Sequence, residues 1–438
     1  MINNKLHLLF VLPALVTSSL CAVAQEATNQ APATVPAMPA NPTGWDLLMR
    51  AHDMLKQMPQ GRIGGGQMAE DSPEDIAAMR AYTDANAESL RLVSEALELP
   101  LVLTSAITKD DGLFPAINRN ALLRQLGRMM MQRARVLAAD GDLRGAVQTN
   151  LDIVTLGAKT QHGGALIESL SGGAIESMGR SNLRRILPRL DAVLAREAAT
   201  RLLAVDALHP SYEAVIRAEK VTGILALEEM FKDDNWKKFR AGNNKAVEKS
   251  GWEMSKDEVK TLQTTTDATI VNDYMAVLDA AIERATRPYD NSVAPIKPPR
   301  DALSRQMAQL FLRRVQPAGR TNFERNHNLN RMLAVAFTLQ AYKAENFEYP
   351  VAIDALIPKY LDLIPPDSFN KNQRLRYRRT FADYRLYSVG PDGVDNDGEP
   401  TFEMRELREA TQPNAKPLRN YNSIRDESKG DIVFGINN

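Results

Sequence analysis

The sequence predicts a mainly α protein: a multi-helix domain followed by a small α+β domain with an antiparallel sheet. Three observations carry this. Aromatic residues make up only 6% while Ala, Leu, Met and Arg are plentiful, a bias toward good helix formers. Apolar residues recur at helical spacing through most of the chain up to Glu345. Beyond Tyr349-Pro350 the period changes: Tyr377, and then Tyr384, Leu386 and Ser388, alternate as in strands. With 438 residues the chain exceeds the ~250–300 at which a single core usually stops growing, so two units are expected, 44–320 and 321–438.

The first 24 residues read as an export signal. Lys5 is the positive end, Leu8 to Val16 the apolar stretch, and Ala22-Val23-Ala24 a small-residue cleavage site. The apolar stretch is too short for a comfortable membrane span. Cys21 is the sole cysteine, and it follows Leu20 where a lipidated cysteine normally follows a small residue, which speaks against a lipoprotein. Cleavage after Ala24 leaves no cysteine, hence no disulfide, thiolate nucleophile or Cys-based zinc site. A periplasmic or secreted protein with no membrane span after signal cleavage is expected. Residues 25–43, rich in Pro and Ala, read as an extended linker.

Helices follow. Trp45, Leu48, Met49 and His52 share one face of the first. "GRIGGGQ" (Gly61 to Gln67) lacks the Lys-Ser or Lys-Thr pair of a phosphate-binding loop and reads as a plain loop. Ser72 is a natural N-cap with Pro73 in the first helical position. Ala134, Leu137, Gly141, Asp142, Ala146 and Leu151 describe a helix, a Gly-Asp turn and a second helix with a small residue at the crossing. This hairpin resembles a single tetratricopeptide unit, without a second copy. "GGALIESLSGGAIESMG" repeats its small residues, which lets helix backbones approach closely and leaves Glu168 and Glu176 free to face a cleft. The segment from Lys232 to Glu258 reads as polar and irregular, and Arg287 to Arg300 as a proline-rich break before a helix at Ala302 to Val315. A long helix from about Asn322 to Glu345 leads into the C-terminal domain.

Lys+Arg and Asp+Glu both total 54, so no overall field recruits nucleic acid or an anionic membrane. Lys371, Arg374, Arg376, Arg378 and Arg379 cluster around Tyr377, a pattern that usually marks a solvated strand edge. His52, His162, His209 and His327 lie far apart in no ligand spacing, and neither His-Glu-x-x-His nor Gly-x-Ser-x-Gly is present. Nothing in the sequence requires chemistry. A non-catalytic scaffold or interaction protein with protein partners in the cell envelope is the leading expectation. An exported hydrolase with a carboxylate pair in a helical cleft is the alternative.

The most distinctive loop is "YSVGPDGVDNDGEP". Asp392, Asp395 and Asp397 supply carboxylates, Gly390, Gly393 and Gly398 let the chain curl, and Asp431 can close the site from a neighbouring strand. Hard oxygen ligands of this kind suit Ca2+. With Asp395 and Asp397 at the third and fifth positions of an EF-hand loop, the twelfth would be Met404, which cannot ligate. A bare acidic turn is the alternative, since Asp-Gly is a common turn former.

Tyr349-Pro350, Leu356, Pro366-Asp367, Tyr377, the run Ser388-Val389-Gly390-Pro391-Asp392-Gly393 and Asp431-Ile432 together carry a resemblance. Phe323 to Phe434 resembles the globular half of the major pseudopilin of type II secretion systems. The resemblance implies a helix packed on a small sheet and a calcium-binding aspartate loop. The chain departs from that family in its ordinary export signal, its added helical body and the long insertion before Asp431, so a pseudopilus-forming role is not expected.

Overall fold

The computed structural model describes residues 41–56, 71–103, 114–243, 256–290, 317–381, 383–401, 424 and 428–436. The expected export signal, nearly all of the linker, the "GRIGGGQ" loop and the helix at Ala302 to Val315 lie outside the described residues. So does most of the insertion that precedes Asp431.

The described chain is mainly helical, with twelve α-helices and one three-stranded antiparallel sheet. Helix α1 (Gly44–Asp53) is closed by a capping box from Thr43, and α2 (Pro73–Ala85) by one from Ser72, with Pro73 in its first turn as expected. A break at Asn86 separates α2 from α3 (Ala87–Glu98). The cause is local: the Asn86 amide donates back to the Tyr82 carbonyl at 2.9 Å and its oxygen accepts the Lys56 N–H at 2.7 Å.

Helices α4 (Phe114–Ala139) and α5 (Leu143–Lys159) form the expected hairpin. Gly141 takes a left-handed φ of +84° at the turn, and Asp142 caps α5 by accepting the Gly145 N–H at 2.8 Å. Helix α6 (Leu166–Ile186) crosses α5 closely, because a Cβ on Gly157 would sit 2.5 Å from the Gly172 carbonyl oxygen. The repeated glycines of α6 therefore serve backbone approach. A 3-10 turn at Leu187–Arg189, set by Pro188, separates α6 from α7 (Ala192–Asp206).

Helix α8 (Tyr212–Lys232) packs against α11 (Asp267–Ala285), with α9 (Asp234–Arg240) and α10 (Lys256–Thr264) between them in sequence. The short α9 lies where an irregular polar segment was expected. Trp236 and Phe239, three residues apart, bury on one face of α9, and the Trp236 ring stacks 5.6 Å from Phe231. Two buried aromatic rings outweigh the polarity of the surrounding run.

The long helix α12 (Pro317–Asn346) joins the body to the sheet β1 (Arg376–Arg379), β2 (Tyr384–Ser388) and β3 (Ile432–Val433). The order is β1-β2-β3, with Tyr377 opposite Leu386 and Ser388 opposite Ile432. One apolar cluster runs from α5, α6 and α7 through Leu333 and Phe337 of α12 to Leu386 and Ile432 of the sheet. The two regions thus share a core across residue 321. Among the described residues no helix is long and apolar enough to cross a membrane.

The sheet is latched to α12 by a buried polar joint. Asp367 accepts hydrogen bonds from Asn328 Nδ2 (2.8 Å), Ser388 Oγ (2.8 Å), Phe369 N (3.0 Å) and Val389 N (2.9 Å). The Tyr377 hydroxyl donates to the Pro350 carbonyl at 2.7 Å, which ties Tyr349-Pro350 to the hairpin. The arginine run is spent locally: Arg374 pairs with Asp354, Arg376 with Asp395 and Arg379 with Glu348.

Candidate functional site

Helix α12 carries an unusual stretch, Arg325-Asn326-His327-Asn328-Leu329-Asn330-Arg331. Helical geometry deals these polar side chains in different directions. Asn326 and Asn330, one turn apart, meet Glu176 of α6. His327 and Arg331, also one turn apart, meet Asp206 at the end of α7. Asn328 turns to the Asp367 joint.

Glu176 is fully buried and is the hub of the cluster. Its Oε1 accepts from Gln161 Nε2 (2.9 Å), Asn326 Nδ2 (2.8 Å) and His209 Nε2 (2.8 Å). Its Oε2 accepts from Asn330 Nδ2 (2.8 Å) and Arg180 (3.3 Å). Burial alone would raise this carboxyl, but the charge and hydrogen bond of His209, with Arg180 and Asn330, reverse the effect and hold it at about 2. Burial works against Asp206 in the same way, and His327 and Arg331 push its carboxyl well below the usual range.

His209 sits between the two acids, its side chain 1% exposed. Nε2 faces the Glu176 carboxylate and Nδ1 faces the Asp206 carbonyl oxygen at 2.9 Å. Both partners can only accept, so both ring nitrogens carry protons. Burial disfavours that charge, yet Glu176 and Asp206 raise the imidazole to about 9. The His327 ring lies 4.5 Å from it, its Nδ1 bonded to Asp206 Oδ1 at 2.9 Å. His209 and His327, far apart in the sequence and in no ligand spacing, are brought together by folding over one aspartate.

Asp206, His209 and His327 place one ligand atom each within 4.8 Å of one another, a spacing that could suit a metal ion. The hydrogen bonding argues otherwise. A doubly protonated His209 offers no lone pair to a metal. The cluster is a buried charge network.

This network backs a cavity of about 310 Å³ between α6, α12 and the His209 turn. Its polar lining is Arg180, Arg184, Arg325, His209, His327, Gln161, Asn322, Asn326, Ser169, Ser177 and Ser181. Leu170, Phe323, Leu329, Leu333 and Phe434 form the apolar part. No described residue of the lining is a carboxylate. Burial lowers Arg180 and Arg184, and burial with the nearby Arg180 charge brings Arg325 down to about 10, so that Arg325 stays cationic at neutral pH.

A second acidic pair lies apart from this cavity. Glu168 and Glu219 accept the Ala165 and Leu166 N–H groups at the start of α6, at 2.9 and 3.0 Å. Burial raises both, Glu219 to about 7. They satisfy the first amides of a helix, an ordinary place for acids.

In the aspartate loop, Asp392 accepts from Val394 N (3.1 Å) and Gly430 N (3.3 Å), and Asp395 from Asp397 N (3.0 Å) and the Tyr387 hydroxyl (3.1 Å). Buried Asp431 accepts from Asn396 N at 3.2 Å and Gly398 N at 2.6 Å. Asp397 has a left-handed φ of +57°, and its carbonyl faces Arg385 at 3.5 Å. Asp392, Asp395 and Asp431 are thus brought to one loop, their oxygens turned toward backbone amides. Burial, with the charges of Asp395 and Asp392, raises Asp431 to about 6. Among the described residues no three of these four carboxylates gather ligand atoms as closely as the Asp206 cluster does.

Of the cavity and the charge network behind it, sequence reading singled out Glu176, His209 and His327 without joining them. Arg180, Arg184 and Arg325 were missed. No family model, no curated protein and no solved structure matches the chain.

Proposed function

We propose that this is an exported, non-catalytic binding protein of the bacterial envelope whose helical body holds a small anion. One observation carries the reading: three arginines and a cationic histidine line a cavity whose described walls contain no carboxylate. The acids that balance part of this charge, Glu176 and Asp206, stand behind the lining and hold His209 and Arg180 in place. Guanidinium groups suit oxyanions because their N–H donors match two acceptor oxygens. Inorganic phosphate is expected to raise the melting temperature in proportion to the logarithm of its concentration. Arg325→Gln should remove most of that shift while melting normally without phosphate. A shift of equal size in the variant would place the anion elsewhere.

The hydrolase alternative needs one carboxyl kept protonated to act as an acid. Glu176 is held ionised at about 2 and Asp206 well below the usual carboxylate range, and the raised pair, Glu168 and Glu219, does not line the cavity. The binding reading is therefore preferred.

The C-terminal module is read as pseudopilin-like and as a platform for protein partners in the envelope. The crowding of Asp392, Asp395 and Asp431 favours Ca2+ there, since a divalent ion relieves like-charge repulsion around a buried carboxyl. The amides that Asp392, Asp395 and Asp431 now accept compete with it. Millimolar Ca2+ at pH 7.5 is expected to raise the melting temperature of the wild type but not of Asp392→Asn/Asp395→Asn. No shift in the wild type would leave the loop a plain turn.

A further inference from the structure

The cavity is not lined like a site for a bare oxyanion. At about 310 Å³ it lies at the lower end of the ~300–1,000 Å³ typical of pockets for organic ligands, far larger than phosphate alone requires. Its lining is also divided in character. On α12, Asn322, Arg325, Asn326, Leu329 and Leu333, separated by one, three or four residues, form one stripe along the cavity, with Phe323 and His327 lining it from the flank of that stripe. The stripe is polar in its first part and apolar in its second. Phe434, just beyond β3, lines the same cavity, so the C-terminal module supplies part of the wall. Opposite, α6 presents the small residues Gly173, Ala174, Ser177 and Ser181 beside Leu170, Arg180 and Arg184. Arg180 and Arg325 come close enough for the charge of one to depress the other.

Resting on the anion reading above, we infer that the ligand is an organic anion: one acid group held by Arg180, Arg184 and Arg325, and an apolar body against Leu329, Leu333 and Phe434. The acid group can be a phosphate or a carboxylate, since guanidinium forks recognise both. The apolar body gains affinity by leaving water for the leucine and phenylalanine wall. An apolar wall beside fixed donors is the usual build of a small-molecule site.

Titration calorimetry on the full mature chain separates the possibilities, with inorganic phosphate, phenyl phosphate, benzoate and benzyl alcohol as probes. Phenyl phosphate or benzoate is expected to bind at least tenfold more tightly than inorganic phosphate, and benzyl alcohol not measurably. Phe434→Ala should bring the aromatic anions to within threefold of phosphate. Arg325→Gln should weaken every anion at least tenfold. Equal affinity for phosphate and both aromatic anions in the wild type would overturn this inference and leave the simple anion reading standing. Benzyl alcohol binding as well as phenyl phosphate, or no binding by any anion, would overturn both. Because the wild-type comparison is decisive by itself, a variant that fails to fold does not blunt the test.

Discussion

Replacing Glu176 by glutamine is expected to destabilise the protein by roughly 3–5 kcal/mol, the usual cost of breaking a buried ion pair from one side. Glutamine keeps the shape but loses the charge. Glutamine offers one acceptor oxygen where glutamate offers two, so either the Gln161, Asn326 and His209 donors or the Asn330 and Arg180 donors are left facing an NH2 group. His209 and Arg180 are cations that would be left facing a neutral amide in a buried setting. The pH dependence makes the effect specific. His209, raised from 6.5 to about 9, contributes stability that is fully present below pH 6.5 and is lost as pH rises through 9. Glu176, lowered from 4.5 to about 2, contributes stability present above pH 4.5 and lost as pH falls through 2. The cluster therefore contributes most between about pH 4.5 and 6.5, and its alkaline loss sets in above about 6.5 and is complete near 9. In Glu176→Gln that alkaline loss should move down toward neutrality. A melting curve measured from pH 4 to 10 reads both. A variant with wild-type stability and an unmoved alkaline limb would mean that His209 is not held as an imidazolium.

Asp367→Ala is expected to release the sheet from α12 before the helical body unfolds. The substitution removes an acceptor shared by four donors, two of them backbone amides in the buried joint. Each donor left buried without a partner costs ~1–3 kcal/mol, though relaxation and water entry recover part of the sum. A net loss of about 3 kcal/mol or more is expected. Its place matters more than its size. Amides of β2 and β3 should exchange at least tenfold faster, while those of α5 and α6 keep most of their protection. Hydrogen exchange resolved by segment reads this difference. Uniform loss of protection would show that sheet and body open as one cooperative unit, joined by the apolar cluster that runs through Leu333, Phe337 and Leu386.

Periodicity and capping made the outer plan of the fold legible. Ser72 and Pro73 mark the start of α2, the Gly141-Asp142 turn marks the hairpin, and Tyr384, Leu386 and Ser388 mark β2. Short-range rules suffice there, because each signal acts on residues within one turn or one strand. The burial of Trp236 and Phe239 depends on contacts between elements, which spacing does not reveal. The cavity was the least legible part. Asp206 and His327 are 121 residues apart, and Glu176 and Asn330 are 154 apart. A signal did exist in α12. Asn326, Asn328 and Asn330 are poor helix formers, so three of them inside a long helix call for a reason beyond solubility. Their partners supply it: each amide answers a charged or polar group that a leucine would leave unsatisfied. The aspartate loop shows the converse. Its acids are conspicuous in the sequence, yet Asp392, Asp395 and Asp431 fold mainly onto amides of their own and neighbouring turns.

The central claim is that the arginine-lined cavity takes an anion, and diffraction tests it most directly. Crystals of the mature protein soaked in selenate and measured at the selenium edge should show an anomalous peak within hydrogen-bonding reach of Arg180, Arg184 and Arg325. The peak should vanish when the soak contains excess phenyl phosphate. Selenate at surface arginines with none in the cavity, at concentrations that fill those surface sites, would contradict the account.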